Sequence, residues 1–276
     1  MDFSTKQLQV NGLNFNVIDH GEGQPVLLLH GFPDSGMLWR NQIPALADAG
    51  FRVIAPDQRG FGETDKPQEV EAYTFDKLLG DVGGILDQLD VSKAHVVGHD
   101  WGAFVAWAVG SFMPDRTDKL VILTVSHPET VFSTIRQYEE SWYMLFFQNS
   151  FAEEVLRRDD WKMFRDWAGD AADFEKYVAD LARPGALTGG LNWYRANATP
   201  ETLFRVSPPI PWPKVKADTL GVWSTGDKFL TEDGFDRTGE YIEGKWRYER
   251  FEAATHWLQL DEPAKLNKLL LEFFAA

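Results

Sequence analysis

The chain contains no cysteine among its 276 residues. This absence excludes disulfide bridges, thiol catalysis and thiolate-ligated metals. No apolar stretch approaches the roughly 20 residues that a transmembrane helix needs. The N-terminal segment alternates polar and apolar residues and lacks the basic head and apolar run of a signal peptide. We therefore expect a cytoplasmic protein without a membrane span.

Positive charge is also scarce, because 27 Lys and Arg stand against 42 Asp and Glu and give a formal net charge of −15. A nucleic-acid partner would need a basic face, so we expect none. The acidic balance does not favour an anionic substrate either, and it is typical of a surface that keeps a protein in solution. A chain of this length can bury its core as one large domain or as a core domain with an insertion.

Strand and helix patterns alternate through the first part of the chain. Asn11-Gly12 lies between two alternating runs and predicts a β-hairpin. Short apolar runs, typical of strands buried on both faces, then alternate with helical segments. The runs are PVLLLHG (25–31), FRVIAPD (51–57), AHVVGHD (94–100) and KLVILTVS (119–126). This order predicts a mostly parallel sheet with helices on both faces. Thr74 is a candidate N-cap for one of these helices.

The pattern changes after residue 129. The following segment is aromatic, helical in pattern and without strand-like runs. Four prolines within six positions of SPPIPWPK (207–214) exclude a helix there and predict an extended linker. Strand patterns return after it. We therefore predict a sheet domain made of residues 1–129 and 210–276, interrupted by a helical cap at 130–209.

The stretch VVGHDWGAF (96–104) has the Gly-x-nucleophile-x-Gly frame of a nucleophile elbow, a sharp turn between a strand and a helix. Most hydrolases carry Ser at its centre, whereas this chain carries Asp100. An aspartate is already ionised at neutral pH and needs no base to activate it. Its targets are electrophilic sp³ carbons that bear a leaving group, as in an epoxide or an alkyl halide. A water activated by a histidine then hydrolyses the resulting alkyl-aspartyl ester.

The segments HGFPDSGMLW, DQRGFGETDKP, GHDWG, STGD and THW follow one another in the order and spacing of the α/β-hydrolase fold. With Asp at the elbow and two tyrosines in the cap segment, the chain resembles the epoxide hydrolases of that superfamily over nearly its whole length. The resemblance implies a mostly parallel eight-stranded sheet flanked by helices, with an inserted helical cap. It also implies an enzyme that needs no cofactor or metal and converts an epoxide and water to a vicinal diol.

The chemistry of Asp100 requires a base and an acid that orients it. His256, in AATHWLQL, alone lies between the last strand and the last helix, where the fold places its base. The other five histidines are assigned structural, packing or surface roles: His20, His30, His95, His99 and His127. The acid predicted from chain order is Asp227. The alternatives for the acid are Asp233, Asp236 and Glu129.

Hydrolysis of the ester also needs an oxyanion hole, and opening of an epoxide needs a hydrogen-bond donor for the ring oxygen. The backbone N–H groups of Phe32 and Trp101 are the predicted oxyanion donors, beside an expected cis Pro33. By resemblance to the family, Tyr143 and Tyr194 are the predicted phenol donors. The same four residues, Phe32, Trp101, Tyr143 and Tyr194, are expected to contact the substrate. Tyr138 is the alternative to Tyr143.

Three other functions remain open at this level. A haloalkane dehalogenase shares an Asp nucleophile and a Trp at the position of Trp101, but Phe32 departs from the polar residue usual after its His-Gly pair. A fluoroacetate-type dehalogenase would carry arginines beyond the elbow, and GAFVAWAVG has none. A non-catalytic binding protein would have lost part of the triad. The expected partner is a small apolar epoxide, and the chain is either a monomer or a homodimer.

Overall fold

A computed structural model of the chain describes residues 3–169, 171–206 and 211–276. Its centre is an eight-stranded sheet with the order β1-β2-β4-β3-β5-β6-β7-β8 among these residues. The strands are β1 (Thr5–Val10), β2 (Leu13–His20), β3 (Gln24–Leu29), β4 (Phe51–Pro56), β5 (Ala94–His99), β6 (Thr117–Leu123), β7 (Asp218–Ser224) and β8 (Trp246–Phe251). The predicted mostly parallel eight-stranded sheet is confirmed.

Only the first two strands break the parallel arrangement. β1 pairs with β2 through a hairpin, and β2 runs antiparallel to β4. Asn11 and Gly12 form the hairpin turn with φ angles of 53° and 81°, the left-handed pair that a two-residue turn of type I′ needs. From β4 to β8 every pairing is parallel. The carboxyl ends of these strands therefore meet at one edge of the sheet.

Helices cover both faces of the sheet, as its parallel connections require. They are α1 (Gln42–Asp48), α2 (Phe75–Gln88), α3 (Trp101–Phe112), α10 (Phe235–Thr238), α11 (Leu258–Asp261) and α12 (Pro263–Ala275), with 3₁₀ turns at Gly36–Trp39, Val70–Tyr73, Pro114–Arg116, Glu232–Gly234 and Gly239–Tyr241. Thr74 is the N-cap residue of α2, as predicted, but its side chain makes no capping hydrogen bond. Its hydroxyl donates to the carbonyl of Glu71 instead.

Six further helices lie in the chain between β6 and β7. They are α4 (Ile135–Glu140), α5 (Trp142–Phe147), α6 (Ala152–Ala168), α7 (Phe174–Leu181), α8 (Ala186–Asn197) and α9 (Pro200–Leu203). The backbone of α6 leaves helical geometry at residues 158–161. In the described part of the segment 130–209 there is no strand. Residues 207–210 of the predicted proline linker lie outside the described residues, and the domain boundaries stay predictions.

The cap helices pack directly on the loops at the carboxyl edge of the sheet. The indole of Trp193 in α8 donates to the carbonyl of Arg59 over 2.9 Å. Arg40, in the core, makes a two-bond ion pair with Asp173 at the start of α7, over 2.6 and 2.8 Å. Both contacts fix the cap relative to the core. None of the helices in the described ranges combines the length and apolar character needed to cross a bilayer.

The turn between β5 and α3 is the sharpest feature of this edge. Asp100 has φ 54° and ψ −124°, a conformation that L-residues rarely adopt. The glycines on either side make the turn possible because the chain is crowded there. A Cβ on Gly98 would lie 2.7 Å from the Cα of Ala103, and a Cβ on Gly102 would lie 2.5 Å from the carbonyl oxygen of His30. The elbow predicted from the sequence therefore has its steric basis in close backbone contact.

We expect Gly102→Ala to destabilise the protein by roughly 3 kcal/mol, because the new methyl group would collide with backbone that cannot move aside. Gly83→Ala is the matched control, since Gly83 lies in α2 and a Cβ there meets only the end of Met113 at 3.5 Å. That variant should gain about 0.5–1 kcal/mol from helix propensity. Urea unfolding of both variants checks the prediction, and wild-type stability of Gly102→Ala would contradict it.

Candidate active site

The carboxylate of Asp100 lies at the bottom of a cavity between the sheet and the cap, with 11% of its side chain exposed. Its Oδ1 accepts a hydrogen bond from the backbone N–H of Phe32 over 2.8 Å. The backbone N–H of Trp101, the next residue, acts to lower the pKa of this carboxyl. The predicted oxyanion donor Phe32 thus contacts the side chain of Asp100, and the peptide bond between Phe32 and Pro33 is cis, as expected.

His256 follows β8 and lies between two carboxylates. Its Nδ1 is 2.8 Å from Oδ2 of Asp227, a hydrogen-bond distance. Its Nε2 is 3.6 Å from Oδ2 of Asp100, which is an ion-pair distance beyond the range of a hydrogen bond. The imidazole is 3% exposed. The ring is therefore oriented by Asp227 and presents its second nitrogen to the nucleophile elbow.

Asp227 is held rigidly in the loop after β7. Its Oδ1 accepts the backbone N–H groups of Phe229 and Leu230 over 2.8 and 3.0 Å. Its other oxygen is left for His256, and the side chain is fully buried. One oxygen of the carboxylate thus fixes the loop, and the other binds the imidazole.

The two carboxylates determine the charge of His256. Burial alone would lower the pKa of the imidazole, but the charge of Asp227 and the contacts with Asp100 outweigh it and raise the pKa to about 10. Burial would likewise raise the pKa of Asp100, but the nearby His256 and the N–H of Trp101 hold it below its usual value. The unreacted site therefore contains an imidazolium between two carboxylates at neutral pH.

His99, the variable residue of the elbow, supports the loop of His256. Its Nε2 donates to the carbonyl oxygen of His256 over 2.9 Å, and the two rings lie 4.6 Å apart. Burial and the charge of His256 lower the pKa of His99 to about 3, so His99 is neutral. Ser224, at the end of β7, donates to the carbonyl of Thr255 over 2.8 Å. Both hydrogen bonds are to backbone carbonyl oxygens, and they fix the loop that carries His256.

Two cap phenols complete the cavity from above. Tyr143 in α5 and Tyr194 in α8 are each 2% exposed, and their rings lie 5.9 Å apart at 79°. Burial and the charge of Asp100 raise the pKa of both phenols well above the usual value. The ring of Tyr194 also packs edge to face on that of Trp101, with centroids 5.0 Å apart at 83°. Both hydroxyls are therefore protonated at neutral pH.

The cavity that these residues share is small and aromatic. Only about 10 Å³ of it is open to the centre of a water molecule, and its remaining walls are Pro33, Trp167, Ala168, Phe229 and Trp257. Trp101 separates it from a larger, mostly apolar pocket of about 470 Å³ between cap and core, which Phe104, Met144 and Trp212 help to line. Apolar walls with a few convergent polar groups are typical of small-molecule sites.

The alternatives considered for the acid and the phenol lie elsewhere. Asp233 accepts a hydrogen bond from Thr134, and Asp236 is exposed. Glu129 forms an ion pair with Arg205 over 3.1 Å. Tyr138 donates to the carbonyl of Leu203 over 3.0 Å and stacks on Phe204. None of these side chains lines the cavity around Asp100.

Three aromatic wall residues and Ala168 were not found by sequence reasoning. Phe229 and Trp257 each lie within two residues of a predicted site residue, so their position next to Asp227 and His256 was an available signal. Trp167 in α6 had none, because it is one of many aromatic residues in the cap. In the described ranges no three His, Asp or Glu side chains gather as ligands of a metal ion would.

Comparison with known proteins places this geometry in a family. The sequence profile of the alpha/beta hydrolase fold matches residues 24–263. The chain is 33% identical to the AB hydrolase superfamily protein YfhM of Bacillus subtilis (strain 168), with 96% of each chain covered. It is 32% identical to Epoxide hydrolase A of Mycobacterium tuberculosis (strain ATCC 25618 / H37Rv), over 96% of this chain and 95% of that protein. A solved structure of novel epoxide hydrolases from metagenomes of hot environments has a TM-score of 0.88 at 29% identity, with 99% of each chain covered.

The charge state of His256 can be tested by NMR of its imidazole nitrogens. We expect the wild-type ring to remain protonated through pH 8, because its pKa is raised to about 10. In Asp100→Ala the pKa should fall, since one of the two carboxylates that stabilise the imidazolium is gone. His95, with a pKa lowered to about 4 by burial, serves as the internal control and should not change. A neutral His256 at pH 7 in the wild-type protein would contradict the assignment.

Proposed function

The chain belongs to the α/β-hydrolase fold family and, within it, to the epoxide hydrolases, and from that premise we propose that it adds water to an epoxide through an ester on Asp100. One observation carries the proposal: a single carboxylate, an imidazole and two protonated phenols face one small apolar cavity. The carboxylate supplies the nucleophile, the phenols supply donors for the ring oxygen, and the imidazole supplies the base for hydrolysis. The product is a vicinal diol, and a small apolar epoxide fits the aromatic walls.

In the first step Asp100 attacks a ring carbon. The N–H of Phe32 holds Oδ1, so Oδ2 forms the new bond to carbon while the C–O bond of the epoxide breaks. The electron pair of that bond moves to the ring oxygen, which takes a proton from Tyr143 or Tyr194. Donors already positioned where charge develops are the most effective form of such stabilisation. The raised pKa of both phenols favours this role, because they hold their protons until the oxygen becomes basic.

Formation of the ester changes the charge around His256. Asp100 becomes neutral, so one of the two carboxylates that raised the pKa of the imidazole is lost. The imidazolium then passes its proton to the tyrosinate left by the first step, and His256 becomes a neutral base. The reaction therefore prepares its own base at the moment when it is needed.

In the second step His256 takes a proton from water, and the hydroxide attacks Cγ of the ester. The former Oδ1 becomes the oxyanion and already accepts the N–H of Phe32, and the N–H of Trp101 is the second proposed donor. The ester bond to Oδ2 breaks, the diol leaves with the proton of His256, and Asp100 is left as a carboxylic acid. Its proton returns to His256, which restores the ion pairs of the unreacted site.

The two cap phenols favour an epoxide over an alkyl halide, because both line the cavity around Asp100. A dehalogenase would use the indole N–H of Trp101 for the departing halide, and Trp101 is not among the described residues that line this cavity. The cytoplasmic location and the choice between monomer and homodimer stay predictions.

The covalent route predicts that His256→Gln accumulates the ester. Asp100 can still attack, but no base activates the water, so intact-protein mass spectrometry after mixing with styrene oxide should show one added epoxide mass. Asp100→Ala is the control and should show neither adduct nor turnover, with residual activity below about a thousandth of wild type. Turnover by Asp100→Ala above that level would rule out the nucleophile.

The phenols separate the two candidate enzymes. Tyr143→Phe or Tyr194→Phe should slow opening of an epoxide by about 10²-fold, the scale of losing one oxyanion donor, and the double variant should nearly abolish it. Rapid-quench measurement of ester formation with styrene oxide, and of halide release with a matched bromoalkane, tests this.

Two variants serve as controls for that experiment. Tyr138→Phe should keep full rate, since its hydroxyl contacts the carbonyl of Leu203 and not the cavity. Trp101→Phe should affect the epoxide less than loss of Tyr194 does. Full epoxide-opening rates in the tyrosine variants, together with loss of halide release in Trp101→Phe, would identify a haloalkane dehalogenase instead.

A further inference from the structure

Asp34 is a buried carboxyl that the proposed mechanism does not use. It lies two residues after Phe32, in a turn closed by its own N–H, which donates to the carbonyl of Gly31 over 3.0 Å. The residue is 3% exposed. Its Oδ2 accepts the indole N–H of Trp257 over 3.0 Å, across 223 residues of chain. Asp34 therefore connects the loop of an oxyanion donor with the loop that carries the base.

A third element reaches the same carboxyl from the cap. The phenol of Tyr177 in α7 lies near Asp34 and acts to lower the pKa of its carboxyl. In the described ranges the buried Tyr177 hydroxyl has no hydrogen-bond partner. Its ring lies 5.8 Å from that of Trp257 at 34°. Core, cap and base loop thus meet at one carboxyl.

The cations near Asp34 are already paired with other groups. Arg40 binds Asp173 through two hydrogen bonds, and Lys176 binds Asp180 and the hydroxyl of Ser35. Burial therefore dominates and raises the pKa of Asp34 to about 7, although Tyr177, Trp257 and Lys176 act to lower it and Asp173 acts to raise it further. A carboxyl buried at this cost needs a compensating role, and its hydrogen bond with the indole of Trp257 indicates one.

Trp257 transmits the position of Asp34 to the base. Its indole packs edge-on against the imidazole of His256, with ring centroids 5.2 Å apart at 90°, and it forms part of the cavity wall. Phe229 packs on both rings, at 5.1 Å from His256 and 5.9 Å from Trp257. The Nδ1 bond to Asp227 fixes one atom of the imidazole, whereas the flanking rings fix the plane of the ring.

We propose that Asp34 is a positioning residue for His256, acting through the indole N–H of Trp257. This inference rests on the proposed function, because it concerns the hydrolytic step of that mechanism. Asp100 attacks the epoxide while held by backbone N–H groups and does not depend on the plane of the imidazole. Attack by water does depend on it, because His256 must point Nε2 at the water.

Two variants remove the hydrogen bond between Trp257 and Asp34 in different ways. Trp257→Phe keeps an aromatic ring but loses the N–H, and Asp34→Leu removes the acceptor. In single-turnover experiments with styrene oxide, both should slow decay of the ester by 10-fold or more and leave its formation within about twofold of wild type. Asp34→Asn keeps a carbonyl oxygen for the indole and should restore most of the hydrolytic rate lost in Asp34→Leu.

The matched control is Trp107→Phe. Trp107 is also fully buried and also donates its indole N–H, to the carbonyl of Val125 over 3.2 Å, but it lies away from the base. This variant should lose similar stability in urea unfolding while both steps keep their wild-type rates. It separates a specific effect on His256 from a general effect of losing a buried hydrogen bond.

The outcomes distinguish the inference from the function on which it rests. Unchanged ester decay in Trp257→Phe overturns the positioning role, as does an equal fall in both steps. If Asp34→Leu does not fold, Trp257→Phe decides alone. Turnover without any detectable ester, in wild type and in His256→Gln, overturns the covalent route and this proposal with it. Ester formation at wild-type rate with slowed decay in Trp257→Phe supports both.

Discussion

The contact between the carboxylate of Asp100 and the backbone N–H of Phe32 is the constraint on which the site depends. It follows from the register of two neighbouring parallel strands, in which Leu29 of β3 pairs with Gly98 of β5. Phe32 lies three residues beyond the first position and Asp100 two residues beyond the second. The strained turn at Asp100 then directs its side chain back toward the loop of Phe32. Sheet register and one turn thus bring together groups that are 68 residues apart.

Charge balance is the second constraint. The site buries two carboxylates and one imidazolium, and isolated buried charges are costly. Backbone N–H groups offset the charge of Asp227 and Asp100, and His256 lies between them. Loss of either carboxylate charge changes the basicity of the imidazole. In the proposed reaction, alkylation of Asp100 removes one of these charges. Burial of the site therefore costs folding free energy, and it also makes the pKa of His256 sensitive to the charge of Asp100.

The cap contributes rigidity as well as phenols. Tyr143 and Tyr194 are packed edge to face among Phe32, Phe147 and Trp167. Such packing holds their hydroxyls in place, which in the proposed reaction would reduce reorganisation during ring opening. The ion pair between Arg40 and Asp173 and the packing of Tyr177 against Trp257 anchor the same cap to the core.

Local sequence determined the elements whose signals lie within a few residues: the Asn11-Gly12 hairpin, the buried strands, and the elbow around Asp100. The positions of His256 and Asp227 were readable because each directly follows a strand of a known order. The partners of Asp34, the wall formed by Trp167 and the ring contact between Trp101 and Tyr194 were decided only by the tertiary structure. Each joins residues between 93 and 223 positions apart, or selects one aromatic residue from a cap that is full of them. Thr74 illustrates the same limit on a smaller scale, because a preceding 3₁₀ turn offered its hydroxyl a carbonyl that the helix pattern did not reveal. Periodicity reports which face of an element is apolar, whereas the choice of partner depends on how the elements pack.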